Sequence, residues 1–199
     1  MELQEAIVQR RSIRRFTEDK VTDQELQEIF EAVRLSPSWA NTQVWEFVVL
    51  RDKELISKVT GIYQSGKGTN PATKCSLAAS ALIVVCAKTG VSGCYDGKES
   101  TKFTNWFMFD LGIATQTLCL KAHEIGLGTV VVGLLDHDAC KQLISLPDGY
   151  EAVAVIPIGR SAVEPKAGPP RKSVVDMVHL DTFGQCSASV GNGHSSCLH

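Results

Sequence analysis

Apolar residues recur along this 199-residue chain at two periods, and the switches between them divide it into helices and strands. Leu3, Ala6 and Ile7 share one face of a first helix, and the run Arg10-Arg11-Ser12-Ile13-Arg14-Arg15 falls at or just past its C-terminal end. Thr22-Asp23-Gln24-Glu25 spells a capping box, after which Leu26, Ile29, Phe30 and Val33 repeat at helical spacing until Ser36-Pro37 stops the pattern. Phe47 to Leu50 predicts a short buried strand, and a short helix with Leu55, Ile56 and Val59 follows the Arg51-Asp52 turn. Residues 61–74 lose regularity over a length that usually means a functional lid or mobile segment. Ala81 to Cys86 is a continuous apolar run around β-branched Ile83-Val84-Val85, the pattern of a strand buried on both faces.

A second irregular loop spans 90–102. Phe107, Leu111, Ala114, Leu118, Ala122 and Ile125 then mark the inward face of a long central helix, which Gly126 ends. Thr129 to Leu134 predicts another buried strand, Asp136 caps a helix through Ile144, and Tyr150 to Ile158 predicts a strand ending at Gly159. Ser161 to Thr182, with Pro165, Pro169 and Pro170, is expected to run extended over a surface. Without a visible repeat, the mixture points to a layered α/β architecture in one domain over 1–184, with a Ser- and Gly-rich tail at 185–199 expected to be disordered.

Composition narrows the function classes. Hydrophobic residues make up 44% and charged residues 21%, and the net charge is −2, so the basic run is local. A nucleic-acid binder that neutralises many phosphates would carry a basic excess over the whole domain. Seven cysteines contain no C-x-x-C pair and no histidine at zinc-finger spacing, and several sit in apolar stretches as small buried hydrophobes. Neither a metal site nor a disulfide framework is expected, and a reducing cytoplasm suits free thiols. No apolar run approaches membrane-span length and the amino terminus does not read as a signal peptide, so the expectation is a soluble cytoplasmic protein.

Four segments carry candidate chemistry. The arginine run gathers four permanent cations in six residues, and guanidinium forks match phosphate or carboxylate oxygens; the same run can also stand solvated, where salt screens its repulsion. Pro37-Ser38-Trp39-Ala40-Asn41-Thr42-Gln43-Val44-Trp45-Glu46-Phe47 packs amides, hydroxyls and indoles between a helix stop and a strand. Such a mix suits a planar polar ligand, or else forms a capped turn with Trp45 and Phe47 in the core. Gly126-Leu127-Gly128-Thr129 follows a helix and opens a strand, the reverse of a dinucleotide fingerprint. Gly133 would let a flat cofactor approach the backbone. Pro169-Pro170-Arg171-Lys172 presents two cations after an extended segment, or a solvated surface pair.

From Leu3 to about Phe183 the chain resembles the nitroreductase-like flavoproteins. The resemblance rests on Arg10-Arg11-Ser12-Ile13-Arg14, on Pro37 to Phe47, on Gly-Leu-Gly-Thr at the strand entry and on the terminal Pro-Arg-Lys, in that order. It implies an α+β fold of three α/β/α layers, with a mixed, mostly antiparallel central sheet and an extended C-terminal arm. It also implies FMN held non-covalently at the interface of an intertwined homodimer. Carried over by motif, Arg10, Arg11, Ser12 and Arg14 contact the phosphate, ribityl chain and pyrimidine edge, with Arg171 or Lys172 completing the phosphate site. Pro37, Ser38 and Asn41 reach the partner subunit's flavin, Gln43 supports the turn, and the backbone near Val132 and Gly133 approaches the ring at N5. Two positions depart from the family pattern: Val44 replaces the usual proline, and Trp39 is bulkier than the small residue often found there.

The implied activity is FMN-dependent NAD(P)H oxidation in ping-pong order, with a nitroaromatic, quinone or related small unsaturated molecule as acceptor. The flavin does the chemistry, so no catalytic acid, base or nucleophile is named, and His123 and His137 are read as surface or packed histidines. Arg14 is the candidate cation beside flavin N1. Within the same fold the alternative is a specialised flavin enzyme: a dehalogenase, a heterocycle dehydrogenase or a flavin-cleaving enzyme. Outside it stands a flavin- or nucleic-acid-binding module without turnover. Neither nucleic acid nor membrane is an expected partner.

Overall fold

The computed structural model describes residues 1–164 and 166–185. Residues 186–199, which hold Cys186, Cys197 and all but the first residue of the tail expected to be disordered, lie outside the described residues. The chain divides into two compact units, Met1–Lys166 and Ala167–His199.

The first unit holds α1 (Leu3–Gln9), α2 (Asp23–Val33), β1 (Trp45–Leu50), α3 (Lys53–Gly61), α4 (Thr73–Ala78) and β2 (Ala81–Lys88). After the short pair β3 (Cys94–Tyr95) and β4 (Lys98–Glu99) come α5 (Phe107–Glu124), β5 (Leu127–Thr129), α6 (His137–Leu143) and β6 (Tyr150–Arg160). The expected caps are present: Thr22 and Glu25 form the capping box of α2, and the Asp136 carboxylate accepts the Ala139 amide of α6. Gly126 ends α5 with φ +81°, a conformation that favours glycine.

The main sheet runs β1-β2-β6-β5 with antiparallel neighbours, and a parallel bridge from Ser12 to Thr129 makes it mixed. In β2 the side chains of Ala81, Ile83, Val85 and Ala87 enter the core under α2 and α5, while Leu82, Val84 and Cys86 enter the core that covers the opposite face. Strand alternation thus divides one buried run between two helical layers. On β6 a bulge beside Val85 and Cys86 shifts the pairing. Ala154, Ile156 and Ile158 therefore face α5 while Ala152 faces away.

Three segments differ from expectation. Regular pairing after α5 covers Leu127–Thr129 and not Thr129 to Leu134, because Val130 meets Pro157 of β6, which has no N–H to give the ladder. Val132 still exchanges both 2.9 Å hydrogen bonds with Val155. Thr73–Ala78, which overlaps the end of the supposed irregular stretch, is helical, and its Cys75 packs with Ala72, Val130 and Val132. The loop 90–102 contains the β3–β4 hairpin, closed by Asp96 and Gly97 at φ +50° and +72°.

Burial raises the thiols of Cys86 to about 12 and of Cys140 to about 11, as the reading of buried hydrophobes implies. Among the described residues no helix is long and apolar enough to cross a membrane.

Gly128 of β5 and Gly159 of β6 are register partners, so the sheet edge carries a strip without side chains. Residues 12–17 run over it: a Cβ on Gly128 would stand 2.7 Å from the Ile13 Cβ, and one on Gly159 would stand 3.0 Å from the Phe16 ring. Gly128→Ala is expected to lower unfolding free energy by about 1–3 kcal/mol through this overlap. Gly61→Ala, whose Cβ meets nothing within 4 Å, is the control that should leave stability unchanged or slightly raised. Urea unfolding of both variants checks the contrast.

Candidate active site

The arginine segment is fastened by the strip beneath it. Ile13 donates its amide to the Thr129 carbonyl at 2.9 Å, Thr17 donates to Arg160 at 3.0 Å, and the Arg15 carbonyl accepts from Ala162 at 2.9 Å. Ile13 is buried against Gly128, so alternation turns its neighbours Ser12 and Arg14 outward, and both are exposed. Burial raises the Cys75 thiol, and the Arg14 charge opposes that rise.

Arg11 faces the other way. Its Nη1 donates to the last carbonyls around α1, Val8 at 2.6 Å and Arg10 at 2.8 Å. Together with Ile13, His123 and Gly128 it lines an open cavity of about 620 Å³. Within the described residues, Arg11 Nε and His123 Nε2 are buried without a hydrogen-bond partner. Burial, then the Arg10 and Arg11 charges, holds His123 below the usual imidazole range, with Glu5 pulling the other way.

Beyond β5, Val130 and Val132 are buried, while Val131, Gly133 and Leu134 are exposed. A Cβ built on Gly133 would meet nothing within 4 Å, so its backbone is open to a flat group. This segment is tied to the 61–74 stretch: Gln64 donates its amide to the Leu134 carbonyl at 3.1 Å, and the Asn70 side chain donates to Gln64 and Leu134. Tyr63 is half-buried, its hydroxyl 3.1 Å from that of Ser76, and burial pushes its pKa up to about 12.

Pro37 to Gln43 forms a tight turn, with Ala40, Asn41 and Gln43 at φ +45°, +56° and +47°. Non-glycine residues hold this region only when surrounding bonds impose it. Ser38 Oγ accepts the Gln43 amide at 2.9 Å, and the Gln43 side chain donates to Asn41 Oδ1 at 3.3 Å. The Trp39 amide donates 3.0 Å to Asp110 Oδ1, and the other carboxylate oxygen accepts from the Ser92 hydroxyl at 2.6 Å. Val44 is buried and its carbonyl accepts the Lys88 amide, so the departure from proline is absorbed by the core. Trp45 and Phe47 pack against that core as well, Phe47 on Phe30.

Sequence reasoning missed Asp110, only 1% exposed in the first turn of α5, and Tyr95 of the hairpin, stacked on Trp39 at 4.6 Å. An acidic residue amid the apolar inward face of α5 was the available signal for Asp110, and Asp96-Gly97 the one for the hairpin. Arg171 and Lys172 lie in the second unit and are exposed, and Arg171 donates to the Pro169 carbonyl at 3.2 Å. His137 Nδ1 lies 2.9 Å from the Ala152 carbonyl, a packing role. Among the described residues no three His, Cys, Asp or Glu side chains gather as a metal site.

The model of the nitroreductase family matches residues 7–160. A protein of Archaeoglobus fulgidus named for NADH dehydrogenase and NAD(P)H nitroreductase activity is 30% identical over 77% of this chain and 82% of its own length. The FMN reductase [NAD(P)H] of Bacillus subtilis is 27% identical over 92% of this chain and 74% of its own. Among solved structures, an FMN-dependent nitroreductase of Clostridium difficile superposes with TM-score 0.72 at 26% identity, covering 90% of this chain and 99% of the other.

The environment of His123 has a consequence for pH. Its pKa lies below the ordinary 6.5 in the folded chain, so between the two values the unfolded chain binds more protons. Folding stability therefore falls as pH drops through that window, and His123→Gln is expected to show a shallower fall. Urea unfolding at stepped pH measures both slopes, and equal slopes would show that His123 carries no such linkage.

Proposed function

Because the chain belongs to the nitroreductase family, we propose that it is an FMN-dependent NAD(P)H oxidoreductase that reduces a nitroaromatic, quinone or related unsaturated acceptor. One observation supports this reading: Ile13 seated on Gly128 leaves Ser12 and Arg14 exposed, where a hydroxyl and a guanidinium could meet an anion. Bound FMN would take hydride from a reduced nicotinamide and pass the electrons to the acceptor in ping-pong order.

The chain's own part is orientation and charge. Ser12 offers a hydroxyl and Arg10 and Arg14 offer guanidinium forks to phosphate and pyrimidine oxygens, where charge-assisted bonds are strongest. Arg11, which caps α1, adds positive potential from behind the segment. The exposed backbone at Gly133 would accommodate the flat ring, whereas Val132, expected beside it, is buried with its N–H and carbonyl both bonded to Val155. Pro37, Ser38 and Asn41 sit in a turn pinned to α5, where they meet the flavin of a second copy. The buried thiols fit a reducing cytoplasm.

A homodimer is supported by α5 itself. Its inward face is buried in the core, yet its outward face carries Met108, Phe109, Gly112, Ile113 and Leu120 along an open groove. Met108 is 48% and Phe109 62% exposed. A helix apolar on both sides needs a second cover, which another copy of the chain supplies.

Purified protein is expected to be yellow, and NAD(P)H to bleach the flavin band without oxygen; a colourless protein that FMN cannot reconstitute would overturn the reading. Arg14→Ala is expected to weaken FMN by roughly 10- to 100-fold and to lower the potential of the bound flavin. Fluorescence titration and spectroelectrochemistry read the two effects. Phe109→Glu should convert a dimer into a monomer in sedimentation velocity.

A further inference from the structure

Loop 90–102 and the turn 37–43 are 50 residues apart in sequence, yet one buried carboxylate holds both. Asp110 accepts the Trp39 amide with one oxygen and the Ser92 hydroxyl with the other, so both charge-bearing oxygens are occupied inside the fold. Two residues beyond Ser92 the β3–β4 hairpin begins, and it carries Tyr95 onto Trp39 with ring centroids 4.6 Å apart and an interplanar angle of 50°. Gly93 lets the loop close down at this point, since a Cβ there would stand 2.7 Å from the Trp106 Cβ. The result is an aromatic pair whose two members come from separate loops and are fixed from below. Its outer member stays open, with Tyr95 61% exposed.

Trp39 lies between Ser38 and Asn41, two of the three residues assigned above to the partner's flavin. We propose that Trp39 and Tyr95 form the recognition wall for a flat aromatic acceptor, and that Asp110 is the positioning residue that sets this wall. The inference rests on the flavin reading of the turn. Its physical basis is the selectivity of π surfaces, since an aromatic acceptor gains offset or tilted stacking that a compact inorganic oxidant does not. Tyr95 acts through its ring and not its hydroxyl. Asp110 acts through the bonds to Trp39 and Ser92, and its own charge stays within the fold.

The test uses the FMN-loaded protein with nitrobenzene as the aromatic probe and ferricyanide as the compact one. Calorimetric titration of nitrobenzene into the oxidised protein, without nicotinamide, is expected to show affinity about tenfold weaker in Trp39→Ala and in Tyr95→Ala. Tyr95→Phe, which keeps the ring, should rescue it. Ser92→Ala, which removes one anchor of the loop and leaves the carboxylate in place, should shift affinity the same way, as should Asp110→Asn. In steady state the KM ratio of nitrobenzene to ferricyanide should rise by the same factor. Unchanged nitrobenzene affinity in Trp39→Ala, or equal losses for both oxidants, overturns the proposal while the flavin reading stands. A protein that never takes up FMN overturns both.

Discussion

The seat of Ile13 on Gly128 is the contact on which the rest of the proposed site depends. It fixes the register of an extended segment that makes only a few ladder bonds, to Thr129, Arg160 and Ala162. Register matters because side chains alternate: a slip of one residue would bury Ser12 or Arg14 and push Ile13 into solvent. A methyl group on Gly128 would lift the segment at the point where it is held closest. The paired Gly159 extends the same condition to Phe16, so two glycines on neighbouring strands form one cradle.

The like charges of the arginine run are tolerated for reasons the fold makes visible. Arg11 spends its fork on the carbonyls that end α1, which the helix dipole favours. Ser12, Arg14 and Arg15 stay in solvent, where repulsion is screened. The cost appears on His123, where the Arg10 and Arg11 charges add to burial in disfavouring a further proton. An anion on the outer face would relieve repulsion among charges already fixed in place, so the site is organised before any ligand arrives.

Much of this was legible in the residues. The capping box of α2, the two-faced burial of β2, the inward face of α5 and the Gly126 stop follow from local chemistry and period, and the structure shows each of them. The misjudged segments were those where a distant residue decides. Pro157 ends the regular pairing of β5 from across the sheet, and nothing local to Thr129 announces it. The helix at Thr73–Ala78 has no side-chain cap to mark its start. Its Cys75 joins a small core with Val130 and Val132, more than 50 residues away in sequence. Asp110 stood out only as an acidic residue on the apolar face of α5, and its role was hidden for the same reason, since its partners Trp39 and Ser92 come from loops on either side of β2. The motif order located the turn, whereas only the fold shows what holds it.

The two halves of the proposed site are held by different physics, and this bears on how each can vary. The arginine segment rests on backbone contact and close packing, where one added methyl group overlaps its neighbour and little substitution is tolerated. The turn and the hairpin rest on two hydrogen bonds to one carboxylate, with rings stacked above. Side chains on the hairpin can change while these two bonds remain, because Asp110 accepts from the Trp39 amide and the Ser92 hydroxyl, neither of which belongs to β3 or β4. A division of this kind would constrain substitution in the arginine segment, where the proposed cofactor would lie, and leave the proposed acceptor side freer to change. The bulky Trp39 is then a change on the adjustable side, and it leaves the glycine cradle untouched.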